Sequence, residues 1–300
     1  MNKYVLITPA RNEEQYIEET IRSVLAQTRL PQKWIIVSDG STDRTNEIVA
    51  EYADQHSFLT LLRREPGGGR DFGSKVYAIR EGIELVQSLE YDFIGFMDAD
   101  ITFEPGLFES VLGRMQGNHN IGIGGGVICE LQSDQWVPHK SSHSWSVAGA
   151  MQMFRRECYE AIGGHIPIKL GGVDMIAEVM VRMKGWRVQT FGDIHIHHHR
   201  QMGTASGNLV SAHFRRGKME YTNGYSLVFQ IARFFSGLFS HPVIIASVAR
   251  SIGYLWALLS RAPLAVPDTV AAYLKKEQNQ RLRSSFRRFL RARAPDSTHS

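Results

Sequence analysis

Two carboxylates one residue apart, Asp98 and Asp100, close the run FIGFMDAD that begins at Phe93. The preceding residues are apolar and of strand length, and residues i and i+2 of an extended segment point to one side. Both carboxylates are therefore expected to converge just beyond the end of a buried strand. Converging anions repel unless a cation joins them. Two carboxylates that leave the remaining positions to phosphate and water suit a hard divalent ion, Mg²⁺ or Mn²⁺, carrying the phosphates of a substrate. Two solvated loop acids would show the same spacing, so the surrounding pattern has to decide.

That pattern is an alternation of strand and helix. Apolar runs at Tyr4 to Thr8, Trp34 to Ser38, Phe58 to Leu62 and Phe93 to Met97 are separated by segments of helical period, the first carrying Ile17, Ile21, Val24 and Leu25. Such alternation predicts an α/β fold, a mostly parallel Rossmann-like sheet covered by helices. Ligands in these sheets bind beyond the carboxyl ends of the strands. The polar clusters fall at those ends: Pro9 to Glu13, Asp39 to Asp43, Gly67 to Asp71, and Asp98 to Asp100. Each cluster has a plainer use. Ser41 or Thr42 can cap the next helix while Asp43 suits its first turn. Gly67, Gly68 and Gly69 can form an ordinary loop, or can offer bare backbone N–H groups to phosphate oxygens, with Arg70 beside them. Four strand ends nevertheless direct polar chemistry to one crevice.

Further along, Asp174 and Glu178 are four residues apart on a segment whose apolar stripe is Met175, Ile176, Val179, Met180 and Met183. Glu178 precedes Arg182 by one turn, the spacing of a surface ion pair. Asp174 follows Gly171-Gly172 and suits the first turn of that helix as an N-terminal acid. In the run His195 to Arg200, an extended backbone puts His195, His197 and His199 on one face and His198 on the other. Arg200 is a permanent planar cation suited to phosphate oxygens. A separate histidine zinc site is the alternative use of this run.

Taken in order, these segments resemble the family 2 inverting glycosyltransferases of GT-A fold. The resemblance rests on ITPARNEEQYIEETIRSVLAQT (7–28), SDGSTDRT (38–45), FMDADITFEP (96–105), GAMQMFRRECYEAIGG (149–164), GGVDMIAEVMVRMKGW (171–186) and IHHHRQMGTASG (196–207). It implies that Pro9, Arg11, Glu13 and Asp39 line a nucleoside site, with Asp98 near the ribose or the metal. Asp100 would coordinate a Mn²⁺ or Mg²⁺ ion bridging the diphosphate of a nucleotide-sugar donor, and His198 or His199 would complete that site. Asp174 falls at the position of the family's general base, usually the second acid of a Glu-Asp pair; here the residue before it is Val173. Arg70 and Arg200 would assist the diphosphate. The acceptor implied is a hydroxyl on a glycan or a lipid-linked intermediate of the cell envelope.

The chain of 300 residues, 43% hydrophobic, can bury one large α/β core with an appendage. We expect a catalytic domain over 1–224 and a helical, membrane-associating, basic region over 225–300. Two cysteines, Cys129 and Cys158, make no close-spaced pair, which argues against a disulfide framework. The short apolar run Tyr4 to Ile7 meets Pro9, Arg11, Glu13 and Glu14 too soon for an export signal, which points to the cytoplasm. From Lys275 to Arg293 eight basic residues stand against one acid, Glu277, so the tail is strongly basic and the body slightly acidic. Val243 to Leu259 approaches the length of a membrane span, but Arg250 at mid-bilayer would cost about 2.5–3.5 kcal/mol. A span would also carry the basic tail away from a cytoplasmic catalytic domain. Helices lying at the inner face of the membrane, peripheral or monotopic, fit better, with the tail on anionic headgroups and Phe286, Phe289 and Leu290 at helical spacing. No nucleic acid is expected as a partner, because the body carries no basic binding motif. Two rival functions remain. Asp98-Ala99-Asp100-Ile101-Thr102 also matches the D-x-D-x-T of haloacid-dehalogenase-like phosphatases, and a non-enzymatic membrane adaptor would explain the tail alone.

Overall fold

The computed structural model describes residues 3–65, 73–139, 143–200, 209–238 and 244–293. The chain divides into two compact units, Met1–Thr204 and Ala205–Ser300.

In the first unit the strands β1 (Tyr4–Ala10), β2 (Lys33–Asp39), β3 (Leu59–Arg64) and β4 (Phe93–Met97) stand where the apolar runs predict them. They lie side by side in the order β3-β2-β1-β4, all parallel. Strand periodicity sorts their side chains. Tyr4, Leu6, Trp34 and Ile36 face a core shared with Ile17, Ile21 and Val24 of helix α1 (Ile17–Leu25) and Val49 of α2 (Thr45–Gln55). Val5, Ile7, Ile35 and Val37 face the opposite core with Ala78 and Ile79 of α3 (Ser74–Glu84). A sheet covered on both faces needs such continuous apolar strands. On these strands the polar tips of the buried Trp34 and Tyr4 are satisfied, Trp34 Nε1 donating to Thr8 Oγ1 at 2.9 Å and the Tyr4 O–H to the Arg29 carbonyl at 2.6 Å. β1 runs past the expected Thr8 and takes Pro9 into the strand. The proline is tolerated because β1 pairs with β4 only as far as Ile7, so no ladder bond is lost at Pro9.

The second half of the unit adds β5 (Ile101–Phe103), α4 (Leu107–Gly117), β6 (Ile121–Gln132), β7 (Gln135–Pro138), β8 (Met151–Arg155), α5 (Arg156–Ala161), α6 (Val173–Met183) and β9 (Arg187–His198). The sheet continues β4-β8-β6-β9-β5, with β7 on β6. Here the pairing is mixed: β8 runs antiparallel to β4 and β6, β9 parallel to β6, and β5 antiparallel to β9. The β5–β9 register sets Ile101 opposite His198. The end of β9 is thereby delivered to the carboxylates that follow β4.

The second unit is helical: α7 (Leu209–Thr222), α8 (Leu227–Leu238), α9 (Ile244–Leu259) and α10 (Asp268–Arg293). α7 and α9 run antiparallel in close backbone contact. A Cβ at Gly217 would collide with the Arg250 carbonyl, and one at Gly253 with the Phe214 carbonyl. Arg233 and Arg250, which interrupt an apolar stretch of sequence, converge with Arg216 on the buried Glu220 of α7. Among the described residues no helix is long and apolar enough to cross a membrane. Because the clash at position 217 is with backbone, Gly217→Val should cost about 3 kcal/mol, the upper end for overpacking. Amide hydrogen exchange should show the loss concentrated in α7 and α9.

Candidate active site

The loops after the strands are tied to each other before any ligand is considered. Asn12, at φ 55°, turns the chain after β1 so that its side-chain oxygen accepts the Thr42 N–H at 2.9 Å while its own N–H reaches Ser41 Oγ at 3.1 Å. Asp43 Oδ1 accepts the Thr45 N–H at 3.0 Å, and Asp43 Oδ2 the Glu14 N–H at 3.0 Å. Asp43 therefore serves the start of α2, while Ser41 and Thr42, expected as caps, are spent on the neighbouring loop. Burial disfavours the Asp43 carboxylate, but the hydrogen bond from the Thr45 hydroxyl and those from the two N–H groups outweigh it and lower its pKa.

A cleft of about 240 Å³ opens beyond these strand ends, lined by Pro9, Arg11, Glu13, Asp39, Ser74, Lys75 and Asp98 among others. The residues expected around a nucleoside thus share one wall, while Arg70 lies outside the described residues. Asp39, nearly buried, accepts Arg64 Nη1 at 2.5 Å on one oxygen and Ser74 Oγ at 2.8 Å on the other, with Arg11 Nη1 4.0 Å away. Glu13 holds Arg200 in a two-pronged pair, 3.1 and 2.7 Å. Burial raises the Glu13 pKa, with Arg200 opposing the shift and Asp100 and Asp98 adding to it. Arg200 is engaged by Glu13 and also stands 3.8 Å from Asp100.

Asp98 and Asp100 do converge, though not through a continued strand. The chain turns at Ala99 and Asp100. The turn is pinned by the Asp98 N–H on the Ala150 carbonyl at 2.8 Å, Thr20 Oγ1 on the Ala99 carbonyl at 2.9 Å, and the His199 N–H on the Asp100 carbonyl at 3.0 Å. Asp100 lies 3.4 Å from His198 Nε2. Burial opposes ionisation of Asp100, but His198 and Arg200 prevail and lower its pKa. The same pairing raises the His198 pKa against its own burial. One atom from each of Asp98, Asp100 and His198 fits within a 4.8 Å span. The buried His198 Nδ1 has no hydrogen-bond partner among the described residues. Two carboxylates and an imidazole form a donor set for a divalent ion with several positions left open, so these residues fit a catalytic metal. The alternation expected for the histidine run holds: His197 stacks on Trp136 at 4.4 Å and His199 meets the edge of the same ring, while His198 turns the other way. His199 bonds Thr102 Oγ1 at 2.9 Å and stands outside the metal-sized cluster.

Lys75 joins this cluster to Asp174. Its Nζ lies 2.8 Å from Asp98 Oδ1 and 3.9 Å from Asp174 Oδ1. Desolvation works against the ammonium, but Asp174 and Asp98 outweigh it and raise the Lys75 pKa. Burial raises the Asp174 pKa; Lys75 opposes this and Asp98 reinforces it. Ser74 and Lys75 carry no signal of their own in the sequence beyond a place shortly after the glycine-rich segment, at the start of a helix. Glu178 departs from its expected place on the surface. It is 2% exposed and accepts the Val147 N–H at 2.6 Å, Ser146 Oγ at 3.1 Å and Arg182 Nη1 at 3.2 Å. It braces the segment that carries Gly149, where a Cβ would collide with the Asp174 carboxylate.

A model of glycosyl transferase family 2 matches residues 5–176. The chain belongs to glycosyltransferase family 2. Among curated relatives, the glycosyltransferase EpsJ of Bacillus subtilis (strain 168) is 30% identical over 38% of this chain and 30% of its own length. Poly-beta-1,6-N-acetyl-D-glucosamine synthase of Staphylococcus epidermidis is 24% identical over 60% of this chain and 44% of its own length. The chain thus spans less than half of either relative. Solved structures agree on the fold. S. aureus TarS 1-349 in complex with UDP-GlcNAc superposes with a TM-score of 0.59 at 18% identity, over 91% of this chain and 84% of that one. The mannosyltransferase PcManGT of Pyrobaculum calidifontis, in complex with GDP-Man and Mn2+, gives 0.55 at 18% identity, over 91% and 85%. The chain therefore has the GT-A fold, which goes against the phosphatase reading: the D-x-D-x-T match follows the fourth strand of the sheet.

Two outcomes follow. Gly149→Ala should push the Asp174 carboxylate from its place beside Lys75 and cost about 1–3 kcal/mol, the range for overpacking, read by denaturant titration. Burial pushes the Glu178 pKa from 4.5 to about 7, with Arg182 opposing it. Between those values the folded protein holds a proton that the unfolded chain releases. Stability should then fall as pH rises through this window, by up to about 3 kcal/mol, and level off above it. Denaturant titrations across that range should show the slope in the parent and lose it in Glu178→Gln.

Proposed function

We propose that this glycosyltransferase is a metal-dependent, inverting enzyme that moves a sugar from a nucleotide diphosphate donor to an acceptor hydroxyl in cell-envelope glycan synthesis. The observation that carries the reading is Lys75, set between Asp98 of the metal-sized cluster and the separate carboxylate Asp174. Pro9, Arg11, Glu13 and Asp39 would hold the nucleoside in the cleft they line. Asp98, Asp100 and His198 would hold Mn²⁺ or Mg²⁺, which when bound neutralises charge on the diphosphate. The neighbours crystallised with UDP-GlcNAc, or with GDP-Man and Mn2+, support this class of donor and ion.

In the proposed reaction Asp174 accepts the acceptor's O–H proton as that oxygen bonds to the anomeric carbon. The bond from that carbon to the diphosphate oxygen breaks on the opposite face, and its electron pair leaves with the nucleoside diphosphate. One base suffices for such a single displacement, whereas retention by double displacement would need a carboxylate nucleophile as well. The raised Asp174 pKa suits a proton acceptor, and Lys75 limits the repulsion between it and Asp98. We assign the protein to the inner face of the cell membrane, peripheral or monotopic. Supporting this are the exposed apolar side chains Ile231, Phe235, Ile252, Trp256 and Leu259 of α8 and α9 and the basic sequence of α10.

Calorimetric titration of UDP, GDP and dTDP, with and without Mn²⁺, tests the site. One nucleotide should bind only with the metal, lose binding in Asp100→Ala and keep it in Asp174→Asn. Asp174→Asn should lose transfer about 10²–10⁴-fold, the range for removal of a general base. Binding that ignores both the metal and Asp100→Ala would refute the metal site.

A further inference from the structure

Near their ends β6 and β9 run side by side as a parallel pair, with Ile128 opposite Ile196 and Glu130 opposite His198. Side chains two residues apart on a strand share a face. Ile128 and Ile196 belong to one core cluster, so Glu130 and His198, two residues further on, are neighbours on that same face. Paired strands lie about 4.8 Å apart. Both side chains are nearly buried, Glu130 at 9% and His198 at 8% exposed. A carboxylate with no place in the metal-sized cluster thus stands next to the imidazole that belongs to it.

In the sheet β9 lies between β6 and β5. His198 is therefore flanked by two carboxylates, Asp100 just before β5 on one side and Glu130 of β6 on the other. Asp100 stands at Nε2, 3.4 Å away. The other ring nitrogen, Nδ1, is buried and has no hydrogen-bond partner among the described residues. A buried polar atom of this kind calls for one. Burial works against the charged His198 ring, and Asp100, then Asp98 and Glu130, act in its favour, so the Glu130 charge is felt at this ring. Glu130 also has His139 Nε2 4.0 Å from one oxygen. A carboxylate offers about four acceptor positions and can serve two rings.

We propose that Glu130 is a positioning residue for the metal site, accepting the His198 Nδ1–H and so keeping Nε2, the nitrogen that faces Asp100, unprotonated for a divalent ion. Histidines that ligate metals commonly donate their second N–H to a carboxylate, which fixes the tautomer and the ring orientation and makes the ligand more basic. The spacing of paired strands brings the two side chains within reach of each other through their own torsions, with the backbone in place. The inference rests on the reading of Asp98, Asp100 and His198 as a metal site and adds to it a residue that touches neither the ion nor the substrate.

Titration of the full chain with Mn²⁺ alone, followed by the electron paramagnetic resonance of the free ion, tests it. Glu130→Ala should weaken Mn²⁺ about 10–100-fold, the range for losing such a partner. Glu130→Gln, which keeps the shape of the side chain and should match the parent in circular dichroism, should weaken it in the same direction. In a His198→Ala background both changes should leave the affinity within about twofold, because their effect passes through the His198 ring. Unchanged affinity in both Glu130 variants would overturn the proposal and leave the metal site standing. So would an equal loss with and without His198, which would make Glu130 a general part of the strand packing or of the local field. A parent that binds no Mn²⁺ would overturn the metal reading itself, and the role of Glu130 with it.

Discussion

One ammonium, Lys75, stands between Asp98 and Asp174, and it lets two carboxylates share a small cleft in which each would otherwise drive the other towards protonation. The rest of the site obeys the same constraint. Glu13, Asp39 and Asp100 are drawn to the same strand ends, and each meets a cation: Arg200, Arg64 and His198. The sheet imposes this crowding, because the β1, β2 and β4 ends open on one crevice while the β5–β9 pairing adds the end of a fourth strand, β9. Arg200 fixes Glu13, and Arg64 and Ser74 fix Asp39, so the acids along the cleft are held in place by their partners, while Asp98, Asp100 and His198 bring one ligand atom each within 4.8 Å of one another.

Much of this was legible in the sequence because strand periodicity and strand-end polarity are local. β1 to β4 fall on the apolar runs, and the loops after them form the cleft. What escaped depends on contacts between distant segments. The convergence of Asp98 and Asp100 comes from a turn pinned by Ala150 and Thr20, where an extended pleat was expected. Glu178 has the spacing of a surface pair with Arg182, yet a neighbouring loop supplies Val147 and Ser146 and buries it. That His198 and not His199 lies beside Asp98 and Asp100 depends on the register of β9 against β5, which no window along the chain contains. The strand β6 was hidden by its glycines, which depress any strand reading while admitting close neighbours such as the Met151 carbonyl.

The C-terminal region makes the same point with the opposite charge. Arg233 and Arg250 read as interruptions of an apolar run, costly in a membrane and unexplained outside one. Their partner is Glu220, on a helix that precedes that run, reached because Gly217 and Gly253 let α7 and α9 approach backbone to backbone. The compact helical unit accordingly begins at Ala205, so that α7 belongs with the helices it packs against.

The central claim is that Asp98, Asp100 and His198 form one metal site serving the donor's diphosphate. Anomalous diffraction at the manganese edge, from crystals grown with Mn²⁺ and the nucleoside diphosphate that binds, tests it most directly. The account predicts one ion within coordination distance of Asp100 and His198, with diphosphate oxygens in the remaining positions. A bound nucleotide with no ion there, or an ion held only by His195 and His197, would contradict it.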